Sequence, residues 1–216
     1  MSQPARPEAL TWTLVSQKGW AEIDYDQLPR RTWIPCMPIF PEGENRESWA
    51  ATCADVWWSG HPHEEADVTQ LAALLSAFHQ DIYAAGHCHM AVIHLPDPAI
   101  LPLPVQLGVW AMHGEREQML RTLAHAYEPE AVERPIVEDF TTEQLGTGLK
   151  SLHYRQEPGP DGEEELHGYL NYAWRIEKYE TDLRLFTFDR DLGRLQRALP
   201  DIDNLARAIS IVPRPQ

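Results

Sequence analysis

The residues best suited to chemistry in this sequence are histidines that occur in two short pairs. His61 and His63 flank a proline and are followed by Glu64, and His87 and His89 flank a cysteine. In an extended strand, residues two apart point to the same face, so each pair can present both imidazoles together. Two such pairs, with Glu64 as ligand or base, have the donors to hold zinc and activate a water molecule.

Other features of the histidine pattern argue against a zinc site. A pair of histidines two residues apart is a pattern of low specificity. An HExxH motif is absent, because Asp67 stands where its second histidine would be, and His94 points to the face opposite His87 and His89. We therefore favour solvated histidines and predict neither a metal nor a cofactor, with a zinc-dependent hydrolase as the alternative.

Tryptophan is concentrated in the first third of the chain. Six of the eight tryptophans lie there, namely Trp12, Trp20, Trp33, Trp49, Trp57 and Trp58. Large aromatic rings usually pack in a core, and that is the favoured interpretation for most of them. Tryptophan also anchors interfaces, because it buries a large apolar area at low entropic cost. Trp33, Trp57 and Trp58 lie near proline or glycine, and we predict that these three contact a partner segment.

Signatures of nucleophilic catalysis and nucleotide binding are missing from the sequence. There is no GxSxG, P-loop or GxGxxG, and Gly146 to Gly148 is typical of a strand turn or bulge. Cys36, Cys53 and Cys88 are odd in number and form no CxxC, which predicts free buried thiols.

The charge balance narrows the class of partner. Eighteen Lys and Arg residues stand against 33 Asp and Glu residues, for a formal net charge of -15. Such a chain repels a phosphate backbone, so we predict neither a nucleic-acid partner nor an anionic membrane surface. The N-terminal residues lack the apolar region of a secretory signal, and no run of about 18 apolar residues occurs. These features predict a cytoplasmic protein.

Hydrophobic periodicity predicts helices and strands in the middle of the chain. A helix begins with Asp67 as its N-cap and ends at Gly86, and its apolar stripe consists of Leu71, Leu74, Leu75, Phe78 and Ile82. A second helix is predicted over 115–127. Strands are predicted at 10–15, 20–25, 87–95, 105–112, 134–140 and 148–155. The proline-rich segment 29–41 is predicted to be irregular, and 44–58 fits either helix or strand.

The last quarter of the chain has the clearest pattern. Residues 168–177 and 183–188 alternate as paired strands, with Leu170, Tyr172, Trp174 and Ile176 on one face. The opposite face, with Tyr169, Asn171, Arg175 and Glu177, is predicted to be wetter. A short helix at 192–199 and another that begins at Pro200 follow. The whole chain, 1–216, is predicted to be a single α+β domain with a twisted antiparallel sheet flanked by helices.

This order of central helix, strand pair, long antiparallel strands and terminal helix resembles the superfamily of the photosystem II extrinsic PsbP subunit. DcrB and the Ran-binding nuclear import factor share that superfamily, an α/β/α sandwich, and the segment LPDIDNLARAISI is similar to its terminal helix. The resemblance implies a non-enzymatic binding protein, because some DcrB-like members are adaptors that shield apolar segments of secreted effectors. We therefore predict a protein partner and an adaptor or chaperone-like function. A small-ligand binder with an apolar pocket is a further alternative.

Overall fold

The computed structural model describes residues 18–29, 31–84, 88–159 and 161–213. Its strands are β1 (Gly19–Ile23), β2 (Trp33–Cys36), β3 (Met90–His94), β4 (Leu103–Ala111), β5 (Ile136–Thr142), β6 (Gly146–Pro158), β7 (Glu164–Ile176), β8 (Thr181–Asp189) and β9 (Ile209–Pro213). Its α-helices are α1 (Arg46–Trp58), α2 (Glu65–Ala84), α3 (Arg116–Leu123) and α4 (Leu192–Arg207). None of these helices is both long and apolar enough to cross a lipid bilayer.

Seven strands form one twisted antiparallel sheet in the order β2-β3-β4-β8-β7-β6-β5. Each neighbouring pair in that order is antiparallel. The β1 and β9 strands pair with each other as a separate two-stranded ribbon. Helices lie on both faces, so the prediction of an α+β fold with a flanked antiparallel sheet is confirmed.

The first face of the sheet is covered by α4 and by the β1–β9 ribbon. Leu170, Tyr172 and Trp174 are fully buried there, as the alternation in β7 predicts. Gly148 is required at this point, because a Cβ would clash with the Ala173 carbonyl oxygen and the Trp174 ring. The main core therefore lies between β7, its neighbours and α4.

Two groups of helices pack on the second face of the sheet. The α1 and α2 helices pack over β2 and β3, and α3 packs against β6 and β7. The predicted wetter face of β7 lies on this side, but Asn171 and Arg175 are buried. Arg175 is stabilised there because its Nε donates to Asp182 of β8 at 2.7 Å. This cross-strand partner is seven residues away in sequence, and the alternation pattern does not reveal it.

Two predictions in the first half of the chain need correction. The segment 29–41 contains β2, and Pro35 fits there because β2 is an edge strand that needs no donor on its outer side. The predicted N-cap at Asp67 is also wrong, because α2 begins at Glu65 and the Asp67 carboxylate accepts the Glu64 N–H at 2.9 Å. The ambiguous segment 44–58 is helix α1, which Asn45 and Ser48 cap reciprocally.

The ends of the chain also differ from the predictions. The segment 192–207 is one helix, with Pro200 inside it rather than at the start of a second helix. Its inward stripe, which includes Leu195, Ala198 and Ile202, continues past the proline and holds both halves on the sheet. The predicted strand at 20–25 is β1, which pairs with β9 in the separate ribbon, and the predicted strand at 10–15 lies outside the described residues.

Candidate functional site

The three tryptophans predicted to contact a partner lie in or against the cores. Trp33 and Trp58 are 5% and 9% exposed, and Trp57 is half-buried with its indole Nε1 donating to the Leu95 carbonyl at 2.7 Å. These positions favour the core interpretation of the tryptophan-rich third, because Trp57 and Trp58 pack between α1 and the sheet and Trp33 packs in the main core on the other face. A contact role for Trp33, Trp57 and Trp58 stays a prediction.

The predicted histidine pairs are not brought together by the described residues. His61 and His63 lie exposed in the connection between α1 and α2. Their ring centroids are 6.4 and 5.7 Å from that of Trp58. His89 packs against Trp20, with ring centroids 4.4 Å apart, and His87 lies outside the described residues. Within the described ranges, the one group of three potential metal ligands contains none of these histidines. The described geometry therefore gives no support to a zinc hydrolase built on His61, His63, His87 and His89.

The three cysteines are free thiols, as predicted. Burial raises the pKa of Cys36 and of Cys88 to about 12 and that of the half-buried Cys53 to about 11. Since the thiolate is the reactive form, these side chains are inert at neutral pH. They pack in or against the core beneath α1 and α2, and we assign them no chemical role.

The exposed strand β5 forms one edge of the main sheet. It is held by a tight hairpin to β6, in which Thr142 pairs with Gly146, and Gly146 supplies the positive φ of 74° that the turn needs. Ile136 and Val137 are 61% and 37% exposed. Among the described residues β6 is the one strand that pairs with β5, so its outer backbone groups have no strand partner there.

An apolar depression lies beside the start of β5, on the α4 face of the sheet. It has a volume of about 210 Å³ and is lined by Val132, Glu133, Tyr154, Leu166 and Leu192. Val132 is anchored because its N–H donates to the Tyr154 carbonyl at 2.8 Å.

We call Val132, Ile136, Tyr154, Leu166 and Leu192 the edge patch. Ile136, Tyr154 and Leu166 share the α4 face because Ile136 pairs with Leu152, and residues two apart along a strand alternate back to the same side. Val132 and Leu166 are 53% and 40% exposed. The floor stays open because Gly168 has no side chain, and a Cβ there would lie 3.0 Å from a Leu192 methyl group.

Acidic side chains surround the edge patch. Glu133, Glu138 and Asp139 are exposed on or next to β5. Arg134 is exposed between Glu133 and β5, and Lys150, which pairs with Glu138 across the strands, lies 3.4 Å from Glu138 and 3.0 Å from Asp203. The edge therefore combines unpaired backbone groups, an apolar depression and an acidic rim.

Sequence reasoning predicted a strand at 134–140 but not that it would be an edge. The relevant signal is that apolar side chains occur at both Ile136 and Val137, on opposite faces, while Glu138 and Asp139 follow on both faces. An interior strand of a sheet that is covered on one face shows a stricter alternation of apolar and polar residues. The edge patch itself unites residues from β5, β6, β7 and α4, which no local pattern connects.

Comparison with known proteins gives no relative for this chain. No protein-family model matches it, and no curated protein and no solved structure is significantly similar to it.

Proposed function

We propose that the protein is a non-enzymatic, protein-binding adaptor that receives an extended segment of a partner along the outer edge of β5. One observation carries the proposal: this edge is seven residues long, it contains no proline, and no described strand covers it. Soluble proteins normally shorten, cover or kink an exposed edge, because unpaired backbone groups template further pairing.

Addition of a strand gives affinity through the main chain and specificity through alternate side chains. A partner strand paired with β5 would direct every second side chain to the α4 face, where the depression lies. A cavity of about 210 Å³ fits one apolar side chain and falls below the range of about 300–1,000 Å³ that is typical of small-molecule sites. The depression therefore suits a side chain of a peptide better than a free ligand.

The charges define the partner further. Glu133, Glu138 and Asp139 border the edge, in a chain with a formal net charge of -15. Opposite charges on two binding partners raise their rate of association, and like charges weaken the binding of unsuitable partners. The expected partner segment is extended, carries a large apolar residue, and has lysine or arginine beside it.

Two expectations from the sequence complete the proposal. A cytoplasmic location agrees with three unpaired thiols, since disulfides are rare in reducing compartments. The resemblance to PsbP-like and DcrB-like proteins supports a binding function by analogy of fold, which is a weaker argument than the edge itself.

The test is selection of peptides from a random phage-displayed library on the purified full chain. We expect enrichment of sequences in which apolar residues alternate with lysine or arginine. Bound peptide should also slow amide hydrogen exchange in residues 136–142, because the outer amides of β5 gain partners. Failure to enrich any peptide over background would contradict the proposal.

A matched pair of variants locates the binding. Ile136→Glu places a charge in the edge patch and should weaken binding of the selected peptide at least tenfold. Ile39→Glu is the control, because Ile39 is 79% exposed and lies outside the edge patch, after β2. Equal binding by both variants would show that the peptide does not use the β5 edge.

A further inference from the structure

A second cluster of side chains lies on the second face of the sheet, opposite to the face that carries the edge patch. It consists of His125 and Glu128, which follow α3, and His153 of β6. Each residue offers one ligand atom, and these atoms all lie within 4.8 Å of one another. His153 is 3% exposed, and the other two are half-buried.

The end of α3 positions the first two members of the cluster. The His125 N–H donates to the Thr122 carbonyl at 3.1 Å, and the Ala126 N–H donates to the Arg121 carbonyl at 2.9 Å. This is the Schellman termination, and His125 occupies its left-handed position with a φ of 50°. Glycine usually occupies that position, because the Cβ of any other residue crowds the following carbonyl oxygen there.

The sheet positions the third member. The Ser151 hydroxyl donates to the Ala124 carbonyl and so ties the end of α3 to β6. The His153 ring lies stacked between His125 and Tyr169, with centroids 5.9 and 5.2 Å apart. Its Nδ1 is buried and, among the described residues, has no hydrogen-bond partner. A buried polar atom without a partner destabilises the folded state, and a metal that accepts its lone pair would remove that cost.

We propose that His125, Glu128 and His153 form a binding site for a divalent transition metal, with Zn²⁺ the best fit. Two imidazoles and one carboxylate are a ligand set of zinc sites that keep a fourth position open for water or another ligand. The ligand atoms must approach to about 3.3 Å from one another, the edge of a tetrahedron with metal bonds of about 2.0–2.1 Å. Rotation of the half-buried His125 and Glu128 side chains supplies that movement.

The geometry of the cluster also suits a cation. The His125 Nδ1 and the Glu128 Oε2 already lie 3.1 Å apart, so one imidazole and one carboxylate oxygen face each other at the site. A metal binds imidazole through a nitrogen lone pair and binds the ionised form of a carboxylate.

The surrounding arginines define the fourth ligand. The Arg155 guanidinium lies 3.6 Å from Glu157 and also pairs with Glu130, so carboxylates offset its charge. Arg184 instead contacts Asn171 Oδ1 at 2.6 Å and the Phe186 ring at 4.3 Å, and no described carboxylate pairs with it. Because no described carboxylate offsets its charge, Arg184 favours an anionic exogenous ligand, such as hydroxide or a carboxylate, on the metal.

The test titrates the metal-stripped full chain with Zn²⁺ by calorimetry and with Co²⁺ by visible absorption. We expect one equivalent of metal to bind with micromolar or tighter affinity, and tetrahedral Co²⁺ bands to appear. Glu128→Gln should weaken binding at least tenfold, in line with the cost of disturbing a metal site. His125→Gly should do the same while unfolding at no lower urea concentration than the wild type, because glycine suits the left-handed position.

The matched control is the double variant His61→Ala with His63→Ala, which removes the exposed pair elsewhere on the chain. It should bind metal as the wild type does. The proposal is overturned if the wild type binds no metal saturably, if His125→Gly binds as tightly as the wild type, or if the control variant loses the site. This outcome is independent of whether a peptide binds at β5.

Discussion

The two edge strands of the seven-stranded sheet differ in how far their outer backbone groups are protected. The β2 edge is four residues long and contains Pro35, and α2 side chains bind the backbone at its end. Tyr83 donates its hydroxyl to the Cys36 carbonyl at 2.5 Å, and the His79 Nε2 donates to the Met37 carbonyl at 2.9 Å. The β5 edge is seven residues long, has no proline, and exposes Ile136 and Val137.

This difference shows that the β2 edge is protected against pairing with another strand and that the β5 edge is not. A short edge with a proline, capped by side chains, offers few unpaired groups to another strand. The tryptophan-rich third, which the sequence presents as a candidate contact surface, builds the closed end of the sheet. The surface with features of recognition lies at the opposite end, in a segment without tryptophan.

Loss of packing at the closed end has the largest expected effect. Leu75 of α2 is fully buried beneath the helices that cover β2 and β3. Leu75→Ala should lower the free energy of unfolding by about 2–5 kcal/mol, measured by urea denaturation. Ile136→Ala at the open end should change it by less than about 0.5 kcal/mol, because the side chain is already largely in solvent. Similar losses of unfolding free energy in the two variants would contradict the inference that only the β2 end is tightly packed.

Thiols at the two ends of the sheet should differ about a thousandfold in their reactivity. Burial raises the pKa of Cys36 from the ordinary value of 9.0 to about 12, so far less reactive thiolate forms at neutral pH. Val137→Cys would place a thiol on the exposed edge instead. Alkylation followed by mass spectrometry should label that new thiol fast and the three native thiols slowly. Rapid labelling of Cys36 would show that the closed end opens.

Alkaline pH should weaken the closed end. The folded-state pKa values of Cys36 and Cys88 lie near 12, above the ordinary value of 9.0. Their contribution to stability is therefore complete below pH 9 and is lost as the pH rises toward 12, by up to about 1.4 kcal/mol per pH unit for each thiol. Urea denaturation between pH 8 and 11 measures this decline.

The variant with Cys36→Ala and Cys88→Ala should lose less stability over the same pH range. Part of the decline should remain, because burial also raises the pKa of Tyr83 beside these thiols. An identical decline in the wild type and the variant would contradict the assignment to the thiols.

The smallest expected effect concerns the cap of α1. Asn45 accepts the Ser48 N–H at 2.8 Å, and the Ser48 hydroxyl accepts the Asn45 N–H at 2.9 Å. Asn45→Ala should lower the free energy of unfolding by about 1 kcal/mol without changing peptide binding at β5. A change in that binding would show that the two ends of the sheet are coupled.

Much of the sheet and its helices could be predicted from hydrophobic periodicity. The stripe in α2 and the alternation of Leu170, Tyr172 and Trp174 in β7 predict elements whose inner faces the structure buries. These features are local, because each element repeats its own pattern. Pro200 misled the prediction of helix ends because the local rule against proline is weaker than the packing of a stripe that continues on both sides of it.

The candidate sites could not be predicted, because neither is local. Prediction of the edge patch requires the strand order, which places β5 at one end of the sheet. It also requires the packing of α4 on the sheet, which places Leu192 beside Leu166 of β7. The His125, Glu128 and His153 cluster needs the end of α3 to lie on β6, a contact that no spacing in the sequence encodes. Of the histidines that stand out in the sequence, His61 and His63 lie beside Trp58, whereas His89 packs against Trp20.

The ribbon of β1 and β9 makes completion of the fold a late event. Gly19 pairs with Pro213 and Ile23 with Ile209, so almost the whole described chain lies between the two strands. Ala21 and Ile211 also close one side of the main core. Contacts of such long sequence separation form slowly. During synthesis β1 can therefore pair only after β9 has left the ribosome, and until then Trp20 and Ile23 lack the strand that lies beside them.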